Sequence, residues 1–210
     1  MTIKDELHNV FSGTYKVRFG TTIQTIASYL ENCTRASQVV KGTKHFKEEE
    51  KEKLELYISK NNLWLNTIDF SQYVSEGAEQ KVYLVDSEHV LKLNDSIYYT
   101  SWVDYFHNLL LHNYFFADTA YELIGFTKND TILYAVVKQA FVSITNKTNL
   151  NLVKEFLTQN GFINTRNNDY YNSELGIILE DLHDENVLTK NNTLYFIDTV
   201  FYVTDVFWQK

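Results

Sequence analysis

The chain has 210 residues, of which 44% are hydrophobic and 22% are charged, so it can fold around one well-packed core. This composition excludes a disordered, collagen-like or coiled-coil chain. Its 19 basic and 27 acidic residues give a formal net charge of -8, which disfavours non-specific attraction to nucleic acid or to an anionic membrane.

The only cysteine, Cys33, excludes an intrachain disulfide and any zinc site built on several cysteines. No apolar run approaches the roughly 18 to 20 residues of a membrane span, and residues 1–10 lack the pattern of a secretory signal peptide. We therefore expect a cytoplasmic protein with no membrane partner.

Two amphipathic helices are predicted near the start of the chain. Apolar residues recur at helical spacing over residues 21–35, and a Lys- and Glu-rich segment over residues 44–60 carries a second apolar stripe. Both helices have too few apolar residues to form a core by themselves. Residues 1–69 are therefore predicted to be a helical extension that packs on the rest of the chain.

From residue 70 the hydrophobic pattern changes to alternation, which predicts strands. One hairpin is expected over residues 82–93 and a second over residues 121–137. Between them, residues 101–116 are apolar over so broad a surface that they predict a helix buried on two sides.

The last part of the chain is predicted to begin with a helix over about residues 148–160, which a glycine terminates. Short apolar segments at 177–179, 187–188 and 194–197 predict strands. The fold class expected from this order of elements is α+β.

The most informative segment reads Leu-Glu-Asp-Leu-His-Asp-Glu-Asn-Val-Leu at 179–188, followed by Tyr-Phe-Ile-Asp at 195–198. Phosphoryl transfer to an alcohol needs a carboxylate that orients the hydroxyl and accepts its proton, and oxygen ligands for Mg²⁺. Asp181, Asn186 and Asp198 supply this set. An Asp, an Asn five residues later, and a short hairpin that delivers a second Asp have the spacing of a kinase catalytic loop and its metal-binding aspartate.

Other interpretations of this region stay open. Each of the three side chains could be an ordinary polar residue of a turn or strand end. His183 and Asp184 could mark a metal-dependent phosphohydrolase, although that requires further histidines that the sequence does not identify. His107 and His112 are five residues apart and share no helix face, which favours core packing or capping.

A kinase-like interpretation requires a nucleotide-binding half, and the first predicted hairpin offers one. Gly77 lies five residues before Val82, as the second glycine of a phosphate-binding loop would, although the segment has one glycine and not three. Lys92 lies on the strand from which a kinase lysine reaches the nucleotide phosphates. Taken alone, Gly77 could be an ordinary turn residue and Lys92 an ordinary solvated lysine. The hinge whose backbone contacts adenine would fall at Lys138, Gln139 and Ala140.

Three features depart from the kinase pattern. The predicted buried helix has no Glu to pair with Lys92, and Asp104 is its available carboxylate. Thr199 stands where a DFG motif has Phe. Only twelve residues follow Asp198, so we expect no room for an activation segment or for peptide-binding helices.

Together these segments resemble the kinase family found in polyvalent proteins, the large multidomain proteins of phages and conjugative elements. The resemblance spans about residues 70–205 and does not cover the first helices. The Asp-x-His-x-x-Asn pattern is also similar to the catalytic loop of aminoglycoside phosphotransferases. The segments that carry the family resemblance are residues 77–84, 92–94, 111–113, 121–126, 138–139, 181–188 and 196–199.

The resemblance implies a two-lobed kinase-like fold with a strand-rich lobe over residues 70–140 and a reduced second lobe over residues 141–210. It implies ATP and Mg²⁺ bound between the lobes, and a serine, threonine or tyrosine acceptor. Lys92 and Gly77 would contact the phosphates. Val82 would also line the nucleotide site. In the same interpretation the second lobe would contribute the metal ligands Asn186 and Asp198 and the catalytic base Asp181.

Three functions are compatible with these observations. The first is a phosphotransferase acting on a protein, with the substrate platform supplied by a partner. The second is a pseudokinase or nucleotide-binding scaffold of a mobile genetic element, favoured by the missing helix glutamate and the short tail but opposed by the intact Asp181, Asn186 and Asp198. The third is a small-molecule kinase similar to the aminoglycoside enzymes.

Overall fold

A computed structural model describes residues 1–35, 43–65, 68–69, 71–76 and 80–209. Within these ranges the fold is a mixed α+β arrangement of six α-helices and antiparallel sheets. The helices are α1 (Ile3–Phe11), α2 (Gly20–Arg35), α3 (Thr43–Lys60), α4 (Trp102–Phe115), α5 (Leu150–Gln159) and α6 (Asp205–Trp208). The first strands are β1 (Tyr73–Glu76), β2 (Gln80–Leu84), β3 (His89–Asn94), β4 (Glu122–Asn129) and β5 (Ile132–Ala140). The later strands are β6 (Ile163–Arg166), β7 (Asp169–Asn172), β8 (Ile177–Glu180), β9 (Val187–Lys190), β10 (Thr193–Phe196) and β11 (Val200–Val203).

The largest sheet is antiparallel and has five strands in the order β1-β2-β3-β5-β4. Side chains of directly paired residues lie on the same face of a sheet, and residues two apart on one strand do so as well. Val82 pairs with Lys92, and Val90 lies two residues before Lys92, so these three side chains share one face. Leu91 pairs with Lys138 on the opposite face.

The helix α4 is buried between the sheet and the N-terminal helices, which confirms the prediction for residues 101–116. Ten of its fourteen residues are buried. On one side Phe106 meets the ring of Phe126 of β4 edge-on, with 6.4 Å between centroids. On the other side Phe11 of α1 stacks on His107 at 3.8 Å. The predicted core position of His107 is therefore confirmed.

The N-terminal helices share one core with the rest of the chain. Leu7 of α1, Ile26 of α2 and Ile58 of α3 are fully buried in the same cluster as Phe106 and Phe201. These helices pack on the following elements, as predicted, and their buried side chains are removed from water in the shared core. No helix in the described ranges is long and apolar enough to cross a bilayer.

The C-terminal part contains a four-stranded sheet, in the order β11-β8-β7-β6, and the separate hairpin β9–β10. Asn191 and Asn192 form the two-residue turn of that hairpin with φ values of 51° and 63°. Asn tolerates this left-handed conformation and is favoured in such turns. The hairpin pairs Val187 with Phe196, so it brings the chain before β9 close to the chain after β10.

A buried carboxylate on α3 caps the N-terminus of α4. Glu50 is 3% exposed, and its Oε2 accepts the N–H of Trp102 at 2.6 Å while Oε1 accepts the N–H of Val103 at 3.3 Å. The first N–H groups of a helix lack partners within it and attract negative charge. Burial nevertheless raises the pKa of Glu50 from an ordinary 4.5 to about 7, and Asp104 adds to the shift while the two hydrogen bonds and Lys47 oppose it.

This shift predicts a pH-dependent stability. Because folding raises the pKa, the folded chain binds the Glu50 proton more tightly than the unfolded chain, and the free energy of unfolding falls as pH rises from about 4.5 to about 7. Glu50→Gln removes this titration and keeps a side-chain oxygen for the cap. Relative to wild type, we expect it to gain on the order of 2 kcal/mol between about pH 5 and pH 8 in urea unfolding.

The matched control is Glu48→Gln, an exposed glutamate on the same helix. It changes the net charge equally but removes no buried group, so its stability relative to wild type is expected to stay nearly constant over the same pH range. Equal pH dependence in the two variants would contradict the assignment to Glu50.

Candidate active site

The segment 181–186 forms a tight loop between β8 and β9. Asp181 has a left-handed backbone with φ 64°, which Asp tolerates better than most residues other than glycine. Its N–H donates to Oδ1 of Asp169 at 3.1 Å, and the buried side chain of Leu182 anchors the loop in the core. These contacts fix the loop and leave the Asp181 side chain largely exposed.

Asn186 connects the two ends of this loop. Its Nδ2 group donates to the main-chain oxygen of Asp181 at 2.9 Å and to Oδ2 of the same residue at 3.0 Å. Because Nδ2 makes both bonds, Oδ1 keeps its lone pairs for a cation. The N–H of Ile197 donates to the main-chain oxygen of Asn186 at 2.9 Å, so the β9–β10 hairpin places Asp198 close to Asn186.

Lys92 reaches this region from β3. Its Nζ lies 3.8 Å from Oδ2 of Asp198 and donates to the main-chain oxygen of Ile197 at 2.8 Å. Gln80 of β2 also donates to Oδ2 of Asp198. Two side chains of the five-stranded sheet thus meet the aspartate that follows β10.

The Lys92 side chain is only 4% exposed, so its charge needs compensation. Burial lowers the pKa of Lys92, and the negative charge of Asp198 acts in the opposite direction. The ring of Tyr121 lies 5.5 Å from Nζ, and its hydroxyl donates to the main-chain oxygen of Ile197 at 2.8 Å. These contacts therefore fix the orientation of the Lys92 side chain, with its ammonium group toward Asp198.

A cleft of about 310 Å³ lies where these groups meet, which is within the usual range for small-molecule sites. One wall is apolar and includes Val82, Val90 and Ala140. The polar end combines Lys92 with side chains of the loop region. Besides Lys92, this end is formed by Gln80, Glu185, Asn186 and Asp198.

The predicted hinge residues are placed differently from one another. Ala140 and Gln139 line the cleft, although Nε2 of Gln139 donates away from it, to the main-chain oxygen of Thr119 at 2.7 Å. Lys138 points to the opposite face of the sheet because side chains alternate along β5, and it pairs with Glu122 at 2.7 Å. The predicted phosphate-loop residue Gly77 lies outside the described residues.

The helix α4 contacts this region through a histidine. Asp104, the carboxylate that the sequence offers as a partner for Lys92, lies instead in the first turn of α4, where its N–H donates to Oγ of Ser101 at 3.0 Å. Near the other end of the helix, Nδ1 of His112 lies 2.7 Å from Oγ1 of Thr199. Burial lowers the pKa of His112 to about 3, and the charge of Lys92 adds to this effect.

His183 lies beside Asp181, with 3.4 Å between Nε2 and Oδ1. The N–H of Glu185 donates to Nδ1 of His183 at 3.2 Å, so Nδ1 is the acceptor and the neutral ring carries its proton on Nε2. Among the described residues, no group of three or more His, Cys, Asp and Glu is placed to hold a metal ion.

The polar end of the cleft has the chemistry that Mg²⁺ requires. Mg²⁺ prefers oxygen ligands and is usually held by one or two protein groups together with phosphates and water. Oδ1 of Asn186 and the carboxylate of Asp198 are two such oxygen donors at the edge of one cleft. The residues present therefore fit a magnesium–nucleotide complex.

A larger cavity of about 680 Å³ lies between α1, α5 and the four-stranded sheet. The apolar part of its wall includes Phe115, Phe156 and Phe162. The smaller cleft is the candidate active site because oppositely charged groups converge there, one of them with a perturbed pKa.

Comparison with known proteins gives one family match. Residues 47–205 match the family model Kinase-PolyVal, described as a serine/threonine/tyrosine kinase found in polyvalent proteins. The matched region begins within α3, earlier than the resemblance predicted from residue 70. No curated protein and no solved structure gives a significant match.

Proposed function

Because the chain belongs to the family of serine/threonine/tyrosine kinases found in polyvalent proteins, we propose that it transfers the γ-phosphoryl group of ATP, with Mg²⁺, to a protein hydroxyl. The observation that carries this proposal is the double hydrogen bond from Asn186 to Asp181. It joins the candidate base to the candidate metal ligand and leaves the amide oxygen of Asn186 for the cation. Asn186 also lies with Lys92 and Asp198 at the polar end of one cleft.

Each residue then has a distinct role. Asp181 orients the acceptor hydroxyl and takes its proton, with Asn186 holding one of its carboxylate oxygens. Lys92 places a buried positive charge against the phosphates. Asn186 and Asp198 would hold Mg²⁺, which would supply positive charge that stabilises the phosphates. The apolar wall at Val82 and Ala140 suits the flat face of adenine.

The proposal includes the division of the chain into two lobes. Residues 70–140 contain the five-stranded sheet and α4, and residues 141–210 contain the loop and the smaller sheets. The candidate cleft has lining residues from both parts. Residues 1–69 are the helical extension, and a partner protein would supply the platform for a protein substrate.

A second candidate function is nucleotide binding without turnover. The carboxylate that pairs with Lys92 is the proposed metal ligand Asp198 and not a residue of α4. A lysine so paired can bind nucleotide without being poised for phosphoryl transfer. The small-molecule kinase is a third candidate, and it rests on the Asp-x-His-x-x-Asn pattern alone.

Incubation with γ-labelled ATP and Mg²⁺ separates these functions. Label on serine, threonine or tyrosine side chains of the chain itself or of an added protein mixture supports the protein kinase. ATP consumption only after a mixture of small alcohols and amino sugars is added supports the small-molecule kinase. Saturable, Mg²⁺-dependent nucleotide binding with no transfer to any acceptor supports the binding protein, and absence of binding contradicts all three.

A further inference from the structure

A buried polar network lies between α4 and the segment that carries Asp198. His112 is fully buried, and both of its ring nitrogens have partners: Oγ1 of Thr199 at 2.7 Å from Nδ1 and the main-chain oxygen of Thr119 at 2.9 Å from Nε2. Thr199 is 2% exposed. The contact joins the helix to the residue directly after the proposed metal ligand.

The partners of His112 determine where its proton lies. A main-chain oxygen only accepts, so Nε2 must carry the proton that binds Thr119. In the neutral ring Nδ1 is then an acceptor, and the hydroxyl of Thr199 must be its donor. Valine at position 199 would have nearly the same shape as threonine but could not make this bond.

Before Asp198 the segment is held through its main-chain oxygens. Thr119 donates to the main-chain oxygen of Phe196, and both Lys92 and Tyr121 donate to that of Ile197. All three contacts precede Asp198. On the other side of the aspartate α4 holds the chain at two points. The Thr199 hydroxyl binds His112, and Oδ1 of Asn108 accepts the N–H of Phe201 at 2.8 Å.

We propose that Thr199 is a positioning residue, whose hydrogen bond to His112 fixes the backbone of Asp198 and couples the position of α4 to the metal-binding carboxylate. This inference rests on the proposed function, since it assigns Asp198 to Mg²⁺. It gives α4 a direct connection to the metal site although the helix supplies no carboxylate to Lys92. The connection is neutral and buried, so salt does not screen it as it would an exposed ion pair.

The test compares Thr199→Val with Thr199→Ser. Valine leaves Nδ1 of His112 buried without a donor, whereas serine keeps the hydroxyl. With nucleotide held constant, we expect the Mg²⁺ concentration for half-maximal binding of a fluorescent ATP analogue to rise at least about 5-fold in Thr199→Val. It should stay within about 2-fold of wild type in Thr199→Ser. Analogue binding measured in EDTA should be the same for all three proteins. A general packing defect would instead weaken analogue binding both with Mg²⁺ and in EDTA.

A second readout needs no nucleotide. Hydrogen exchange of the backbone amides of residues 198–201 should be faster in Thr199→Val than in wild type, and close to wild type in Thr199→Ser. Nitrogen NMR of the wild-type histidines should show His112 as the Nε2–H tautomer. If wild type binds no Mg²⁺–nucleotide, the proposed function fails, and equal exchange in the two variants would separately overturn the role of the Thr199 bond.

If Thr199→Val does not fold, substitutions of His112 provide the same comparison. Asparagine can place an acceptor near the position of Nδ1, and glutamine can place a donor near that of Nε2. We expect His112→Asn to keep the Mg²⁺ dependence better than His112→Gln, since the shorter Asn side chain can place its amide oxygen near the position of Nδ1, where Thr199 donates. The reverse order, or equal Mg²⁺ dependence in both, would overturn the proposal.

Discussion

Asp198→Asn is expected to abolish the Mg²⁺-dependent stabilisation of the chain by ATP. The variant keeps the shape of the side chain and an oxygen that can accept from Gln80, but it removes the negative charge that Mg²⁺ requires. A ligand at about 100 times its dissociation constant adds roughly 2.7 kcal/mol to the stability of a folded chain. For wild type this corresponds to a rise of about 5 to 10 °C in Tm, and for the variant to a rise close to zero.

The same substitution should lower stability in the absence of nucleotide. The buried ammonium of Lys92 has Asp198 as its counter-charge, and removing that charge lets burial lower the pKa of Lys92 further. Each protein must therefore be compared with its own ligand-free state. Asp205→Asn, an exposed aspartate in α6, is the matched control and should respond to Mg²⁺ and ATP as wild type does. An Asp198→Asn protein with the full Mg²⁺-dependent rise would show that the metal is held elsewhere.

Asp181→Asn is expected to lower the rate of phosphoryl transfer by about 10² to 10⁴, the usual contribution of a general base. Asparagine also tolerates a left-handed backbone, and its side-chain oxygen can still accept from Asn186. The loop should therefore keep its shape and Mg²⁺–ATP should bind with nearly wild-type affinity. Measured together, the transfer rate and the nucleotide affinity separate loss of chemistry from loss of structure.

The control for this variant is Asp184→Asn, which removes a carboxylate from the same loop. Asp184 pairs with the exposed Lys147 at 3.4 Å, whereas the side-chain Nδ2 of Asn186 donates to Asp181. We expect its transfer rate to stay within about 3-fold of wild type, because exposed ion pairs contribute little. Equal losses in the two variants would contradict the role of Asp181 as the base.

The candidate site was predictable from the sequence where its residues are close along the chain. Asp181 and Asn186 are five residues apart on one loop, and the apolar segments after them dictate a hairpin that returns Asp198 to the same place. Lys92 was predictable from the hairpin pattern, because alternation along β3 fixes its face together with Val82. In each case short-range spacing and strand geometry decide the outcome.

Contacts between distant parts of the chain were not predictable in this way. The sequence offered Asp104 as the available carboxylate of the buried helix for Lys92, whereas the structure pairs Lys92 with Asp198, 106 residues later. His112 was correctly expected in the core, but its bond to Thr199 spans 87 residues and has no local signal. The one available sign was Thr199 itself, a polar residue at a position where kinases have Phe.

Short elements were also missed. The prediction contains no helix for α1, although its capping box of Thr2 and Asp5 is a recognised start signal. The strands β6 and β7 fall in a polar, Asn-rich segment with weak alternation, and they form because β8 offers a neighbouring edge for hydrogen bonds. Tertiary pairing outweighs strand propensity in such segments.

The most direct test of the account is a methyl NMR titration of the wild-type protein with ATP, with and without Mg²⁺. We predict Mg²⁺-dependent shifts of Val82, Val90 and Ala140, the apolar wall of the candidate cleft, and unchanged signals for Leu157 and Leu175 in the larger cavity. Shifts confined to the larger cavity, or none at millimolar nucleotide, would contradict the assignment of the active site.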